Sequence, residues 1–213
     1  MRIGLFGGTF DPPHNGHLAL AEDAKIKFNL DEVWFIPAGD PYFKTAVREV
    51  THPYKRMNMV NAAIQGVDWA ISDDCEVCRQ GPSYTDITLK HYLELYPQHK
   101  FYLILGADEL RDITAWHNFQ YLFDNCTIIA AHRDAERGDE IFRISAMELM
   151  DKYGAKILFL PFNIPISSTQ IREKIRVGAS YRFYLPPATY DYIRKHGLYG
   201  VDKDGHVHDK GEK

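Results

Sequence analysis

Apolar residues in this chain come mostly in short unbroken runs rather than in alternation with polar ones. Arg2-Ile-Gly-Leu-Phe6, Glu32-Val-Trp-Phe-Ile36, Phe101-Tyr-Leu-Ile-Leu105, Thr127-Ile-Ile-Ala-Ala131 and Ile157-Leu-Phe-Leu160 each read as a buried strand, several of them closed by Gly or Pro. Trp69-Ala-Ile71 and Cys75-Glu-Val-Cys78 read as further strand material. Between the runs the spacing turns helical. Leu18, Ala21, Ala24, Ile26 and Phe28 mark one stripe from Gly16 to Phe28, and Met57, Val60, Ala63 and Ile64 mark another from Tyr54 to Gln65. Helices are also predicted over Thr85–Tyr96, after Gly106 and over Arg143–Tyr153. Strands apolar on both faces, alternating with helices, predict an α/β fold with a parallel sheet covered on both sides. Ligands of such sheets bind beyond the carboxyl ends of the strands, where the strand order reverses.

After Leu160 the pattern is helical only, over Ser168–Ile175 and Ala188–His196, which predicts a small C-terminal helical part at about 168–200. The tail 201–213 is polar and rich in Gly and Lys, and is expected to fray. A chain of 213 residues suits a single domain over 1–200.

Composition narrows the classes. Apolar residues at 45% and charged residues at 25% are ordinary for a globular protein, and a net charge of -4 lacks the basic excess of nucleic-acid binders. No run approaches the roughly 18 apolar residues that span a bilayer, so no membrane partner is expected. The apolar start Met1–Phe6 breaks at Gly7-Gly8, unlike a signal peptide. Three cysteines, a low and odd count, read as reduced thiols of a cytoplasmic protein. Cys75 and Cys78 have CxxC spacing, yet no second pair completes a zinc site and a redox pair would open a helix; two incidental thiols are the expectation.

The first candidate site follows the first strand, at Gly7-Gly8-Thr9-Phe10-Asp11-Pro12-Pro13-His14-Asn15-Gly16-His17. The glycines let the backbone turn tightly beside a ligand, and Thr9 and Phe10 can aim N–H groups at an anion. The helix starting near Gly16 adds its positive dipole end. His14 and His17, three residues apart at that helix start, can face one pocket. This is a phosphate cradle with two titratable donors. Neither the Gly-x-Ser-x-Gly elbow nor the Gly-Lys-Ser/Thr ending of a P-loop is present, and the spacing does not fit the dinucleotide fingerprint. A second candidate lies at Ile166-Ser-Ser-Thr-Gln-Ile-Arg172. There Ser167 or Ser168 can cap the following helix, Ser168 and Thr169 offer hydroxyls, and Arg172 can fork onto phosphate oxygens.

Gly8-Thr-Phe-Asp-Pro-Pro-His-Asn-Gly-His17 resembles the His-x-Gly-His signature of the nucleotidyltransferase superfamily, and Ile166–Arg172 resembles its Ile-Ser-Ser-Thr-x-Ile-Arg signature. Up to about Tyr199 the chain is similar to the bacterial nicotinate-mononucleotide adenylyltransferases. Pro37–Lys44 resembles that family's loop ending in a basic residue, and Ser83-Tyr84-Thr85 its segment that cradles the pyridine carboxylate. Gly106-Ala-Asp108 followed by Trp116 resembles its ring-stacking region, Arg133 an arginine near the nucleotide, and Tyr184-Leu-Pro-Pro187 its C-terminal end. Two departures stand out. The family's Tyr-Thr-x-Asp-Thr-Leu is here Tyr84-Thr-Asp-Ile-Thr-Leu89, so no role is assigned to Asp86; and Phe43 replaces a frequent histidine. Arg56 is expected to be structural.

The resemblance implies a Rossmann-like doubly wound parallel sheet and transfer of AMP from ATP to nicotinate mononucleotide, with Mg²⁺ carried on the ATP phosphates. It implies catalytic roles for His14, His17, Lys44 and Arg172. Substrate contacts are implied for Gly8, Thr9, Phe10, Ser83, Tyr84, Thr85, Gly106, Asp108, Trp116, Arg133, Ile166, Ser168 and Thr169. Two alternatives stay open: an adenylyltransferase acting on phosphopantetheine, which shares both signatures, and a module that senses ATP without turnover. The oligomeric state is open too, a homo-oligomer included.

Overall fold

A computed structural model describes residues 1–41, 49–132 and 138–201, so Lys44, Arg133 and the tail from 202 lie outside the described residues. Its strands are β1 (Arg2–Gly8), β2 (Glu32–Pro37), β3 (Ala70–Ser72), β4 (Lys100–Gly106), β5 (Thr127–His132) and β6 (Ile157–Pro161). They form one six-stranded sheet in the order β3-β2-β1-β4-β5-β6, every neighbouring pair parallel. This is the Rossmann-like doubly wound order, with its reversal between β1 and β4. The helices are α1 (Asn15–Lys27), α2 (Pro53–Ala63), α3 (Cys75–Cys78), α4 (Thr85–Leu95), α5 (Ala107–Arg111), α6 (Phe119–Asn125), α7 (Gly138–Tyr153), α8 (Ser168–Arg176) and α9 (Pro187–Lys195).

Successive strand residues point to opposite faces, and both faces are covered, which is why the strands read as continuous apolar runs. Leu5, Leu103, Leu105 and Ile128 pack with Leu89 and Tyr92 of α4, Leu122 and Phe123 of α6 and Ala146 of α7. Phe6, Phe35, Ile104 and Ile129 pack on the other face with Leu20, Ala21 and Ala24 of α1 and Val60 and Ala63 of α2. A third cluster joins Met59 of α2 to Ile171, Ile175, Leu185, Ile193 and Leu198, and so fastens the C-terminal helices beside the sheet.

Several expectations change in detail. Cys75–Cys78 is a helical turn, not a strand. The Asp73 carboxylate accepts the Cys75 backbone N–H at 2.9 Å, a local bond that competes with strand pairing, and β3 has already ended at Ser72. On α1 the buried face is Leu20, Ala21 and Ala24, while Ile26 is 67% exposed and falls off the expected stripe. On α2 the buried positions are Arg56, Met59, Val60 and Ala63, with Met57 only half-buried. Helix α7 starts at Gly138, ahead of the expected Arg143.

Arg56 is wholly buried, and its guanidinium donates to the carbonyls of Thr51 (2.7 Å), Thr9 (2.7 Å), Ala38 (2.6 Å) and Gly39 (3.2 Å). It thereby ties together the loops leaving β1 and β2. Gly39 sits tight against the next segment, since a Cβ there would lie 2.0 Å from the Glu76 carbonyl oxygen. Because Arg56→Met strands buried carbonyls without donors, it is expected to cost about 3 kcal/mol in chemical denaturation. A loss below about 1 kcal/mol would show the loops to be held by other means.

Candidate active site

The loop between β1 and α1 turns on residues chosen for shape. Phe10 adopts a positive φ of 50° and is 2% exposed. It stands edge-on to Phe6 at 5.6 Å and to His17 at 5.0 Å, so it anchors the loop in the core. His14 is the residue before the first turn of α1, in extended backbone conformation. Its backbone N–H donates to His17 Nδ1 at 3.1 Å, which places the proton of a neutral His17 ring on Nε2. The two imidazoles stack at 3.6 Å with 21° between planes. Gly16 permits this arrangement: a Cβ there would meet His14 Nδ1 at 3.1 Å and Ile166 at 3.5 Å. His14 is 5% exposed, and burial lowers its pKa from 6.5 to about 4, because the imidazolium loses its water.

The second motif is bolted to this loop. Ser167 caps α8, its Oγ accepting the Gln170 N–H at 3.2 Å. Ser168 then donates from Oγ to the Pro12 carbonyl at 2.8 Å, and Arg172 Nη1 donates to the Asp11 carbonyl at 2.6 Å. Arg172 Nη2 also reaches Thr169 Oγ1 at 3.0 Å. Tyr199 donates its hydroxyl to Asp11 Oδ1 at 2.8 Å, and its burial beside that carboxylate pushes the phenol pKa up, so the proton stays in place. Asn15 closes the ring by donating to the Phe183 carbonyl at 3.0 Å.

Two cavities open at the carboxyl ends of β1 and β4. The larger, about 920 Å³, is lined by His14, His17, Ile166, Ser168, Thr169 and Arg172 together with Phe10 and the start of α5. It gathers hydroxyls, imidazoles, a guanidinium and the N-terminal ends of α1 and α8, the donor set that suits a chain of phosphates. The smaller, about 540 Å³, is lined by Ser83, Tyr84, Thr85 and Trp116 with Leu5, Ile36 and Leu105, a mainly apolar slot suited to a flat ring. Gly7, Gly8, Thr9, Gly106, Asp108 and Glu109 line both cavities. Two ligands lying in them would therefore meet over the ends of β1 and β4.

Every described residue that the sequence singles out as a candidate stands at one cavity or both. Trp116 is half-buried and packs on the core while lining the smaller cavity. Asp108 lies within the first turn of α5, and it pairs with Arg111 at 3.0 Å. Lys44 and Arg133 fall outside the described residues. Some polar residues at or beside the cavities carry roles that the sequence reading does not assign. Asp11, 1% exposed, holds Tyr199. Glu76 is buried at the slot, accepts the Thr88 hydroxyl at 2.6 Å, and has its carboxyl pKa raised by burial. Asp86 is buried against His117.

The state of His14 gives a pH test. The unfolded chain takes up this proton near pH 6.5 and the folded chain only near 4, so His14 adds stability above about pH 6.5 that is lost as pH falls toward 4. Replacing it by Asn is expected to remove about 2–3 kcal/mol from the stability difference between pH 7 and pH 4.5. Parallel pH profiles for parent and variant, measured by urea denaturation, would contradict a buried neutral His14.

The cytidylyltransferase-like family model matches residues 5–174. A probable nicotinate-nucleotide adenylyltransferase of Synechococcus sp. (strain JA-3-3Ab) is 41% identical over 93% of this chain and 94% of its own length. One of Desulfitobacterium hafniense (strain Y51) is 42% identical over 94% of this chain and 96% of its own. The solved structure of the Plasmodium falciparum nicotinic acid mononucleotide adenylyltransferase complexed with NaAD superposes with a TM-score of 0.73 at 25% identity, over 93% of this chain and 97% of that one; its complex with APC gives 0.72. Family model, relatives and fold agree with one another, and the chain belongs to the cytidylyltransferase-like family, among the nicotinate-nucleotide adenylyltransferases.

Proposed function

We propose that this chain transfers the AMP moiety of ATP to nicotinate mononucleotide, giving nicotinate adenine dinucleotide and pyrophosphate, as a step of NAD biosynthesis. The observation that carries this reading is the shared floor of the two cavities, Gly7, Gly8, Thr9, Gly106 and Asp108, between a donor-rich cleft and an apolar slot. ATP takes the larger cleft and the pyridine mononucleotide the smaller, with the ring against Trp116 and its carboxylate toward the Ser83–Thr85 segment. The relatives named for this reaction, and the neighbour complexed with NaAD, support the assignment of substrates.

A 5′-phosphate oxygen of the mononucleotide attacks the α-phosphorus of ATP. The new P–O bond forms as the bond to the bridging oxygen of the leaving pyrophosphate breaks in line. The attacking oxygen is already ionised near neutral pH, so no protein base and no covalent intermediate are required. The protein's task is to position the reactants and to stabilise charge on the transferring and leaving groups. His17, donating from Nε2, and Arg172 carry that charge together with His14 and Lys44, and the backbone of Gly8–Phe10 approaches the α-phosphate. An arriving polyphosphate offsets the burial that keeps His14 neutral. Gly106 and Asp108 would serve the ribose, and Ile166, Ser168 and Thr169 the ATP nucleotide; the role that the resemblance implies for Arg133, an arginine near the nucleotide, belongs to the same reading. ATP enters as its Mg²⁺ complex, in which the ion keeps phosphate oxygens and water as ligands.

Residues 1–200 act as one nucleotidyltransferase domain, a reading supported by the bonds that join 168–199 to the first loop. Unpaired Cys75, Cys78 and Cys126 support a reducing compartment, the cytoplasm. Among the described residues no helix is long and apolar enough to cross a membrane.

With ATP labelled at the α-phosphorus, label is expected in the dinucleotide and none in pyrophosphate. His17→Ala is expected to lower kcat by about 10²–10³ with an unchanged circular dichroism spectrum. Label recovered in inorganic products, or a kcat within threefold of the parent, would refute the assigned chemistry.

A further inference from the structure

The first turn of α4 is inside out. Asp86 is 6% exposed while the adjacent Ile87 is 41% exposed. Burying a carboxylate is costly unless it is paired, and an acid that merely favours a helix start does so equally well in water. Asp86 is paired: both carboxylate oxygens face His117 Nδ1, at 2.9 and 3.0 Å. The carboxylate accepts, so Nδ1 carries the proton and the ring's tautomer and orientation are set. The same ring lies flat on Tyr84, with centroids 4.3 Å apart and 12° between planes. Tyr84 belongs to the Ser83–Thr85 wall of the smaller cavity, and His117 follows Trp116 on the other. On its far side, the Ser83–Thr85 wall is pinned to the end of β2, where Ser83 Oγ accepts the Gly39 N–H at 2.9 Å.

We propose that Asp86 is a positioning residue of the ring slot: its grip on His117, with the Tyr84–His117 stack, locks the Trp116–His117 segment against the Ser83–Thr85 segment. The slot is thereby shaped before a ring enters, and affinity for the pyridine mononucleotide depends on a side chain that touches no substrate. The inference rests on the proposed reaction for the identity of the ring, while the lock itself is a property of the free protein.

The test exchanges the two residues, Asp86→Ile with Ile87→Asp. This puts an apolar side chain inside and an acid outside, so a purely structural role predicts equal or higher thermal stability and unchanged kinetics. The lock predicts a KM for nicotinate mononucleotide raised about tenfold, with the KM for ATP within about twofold and kcat within about threefold. His117→Phe, which keeps a ring on Tyr84 but loses the bond, is expected to show the same rise. Adding it to the exchange is expected to bring no further loss, because the two changes break one interaction. Fluorine NMR of protein carrying fluorotryptophan reads the lock without substrate, since the chain has 3 tryptophans. The Trp116 resonance, assigned through Trp116→Phe, is expected to shift or broaden in Asp86→Asn and in the exchange, while Trp34 and Trp69 stay fixed. An unchanged Trp116 resonance, or a rise in both KM values alike, overturns the lock. If the parent fails to turn over nicotinate mononucleotide, the reaction is refuted and the resonance still decides the lock.

Discussion

The C-terminal helical part meets the loop after β1 at Asp11 and Pro12, and the site depends on that meeting. Arg172 and Tyr199 both bind Asp11, and Ser168 binds the neighbouring carbonyl of Pro12. Each such bond adds about 1 kcal/mol net, somewhat more where the guanidinium is involved. That is too little to close a chain loop of this length alone, since closure entropy grows with the logarithm of loop length. The apolar cluster of Met59, Ile171, Ile175, Leu185, Ile193 and Leu198 supplies the remainder. The hydrogen bonds then set the register of α8 against the first loop, so the donors of both motifs line one cavity only in the fully folded chain.

Sheet topology supplies the other half of the site. In the order β3-β2-β1-β4-β5-β6 the chain leaves β1 toward one face and β4 toward the other, opening a gap above their carboxyl ends. Both cavities use that gap, and they differ in what the flanking elements add to it. Imidazoles, a guanidinium and helix starts gather on one side, aromatic and aliphatic surface on the other. A chain of net charge -4 can hold a polyphosphate in this way, because the attraction is local. His14 shows the cost of preparing such a site: burial holds its pKa at about 4 in the free protein, and only an anion beside it makes the charged form favourable again.

The parts of this arrangement legible in sequence are those carried by local pattern. Unbroken runs at β1, β2, β4, β5 and β6 announce a sheet buried on both faces, and the glycine turn with His14 and His17 marks the loop that lines the larger cavity. The Ser167 cap of α8 is readable as well. What escapes the sequence depends on which neighbour arrives from elsewhere. Cys75-Glu-Val-Cys78 has the composition of a strand but coils, because Asp73 captures a backbone amide. Ile26 looks like part of a buried stripe, yet it faces solvent because the small side chains at Ala21 and Ala24 set which side of α1 approaches the sheet. Asp86 is plain in the sequence only as an acid exchanged with an apolar neighbour; its meaning appears once His117, distant in the chain, is seen against it. The long-range bonds at Asp11 belong to the same class.

The central claim, that the two cavities bring ATP and a carboxylated pyridine nucleotide together over one floor, is tested most directly by pyrophosphate release. Purified protein with ATP and Mg²⁺ would be given nicotinate mononucleotide, nicotinamide mononucleotide and phosphopantetheine in separate reactions. The account predicts rapid release with nicotinate mononucleotide, slower release with the amide and none with phosphopantetheine. Release with phosphopantetheine alone, or with none of the three, would contradict it.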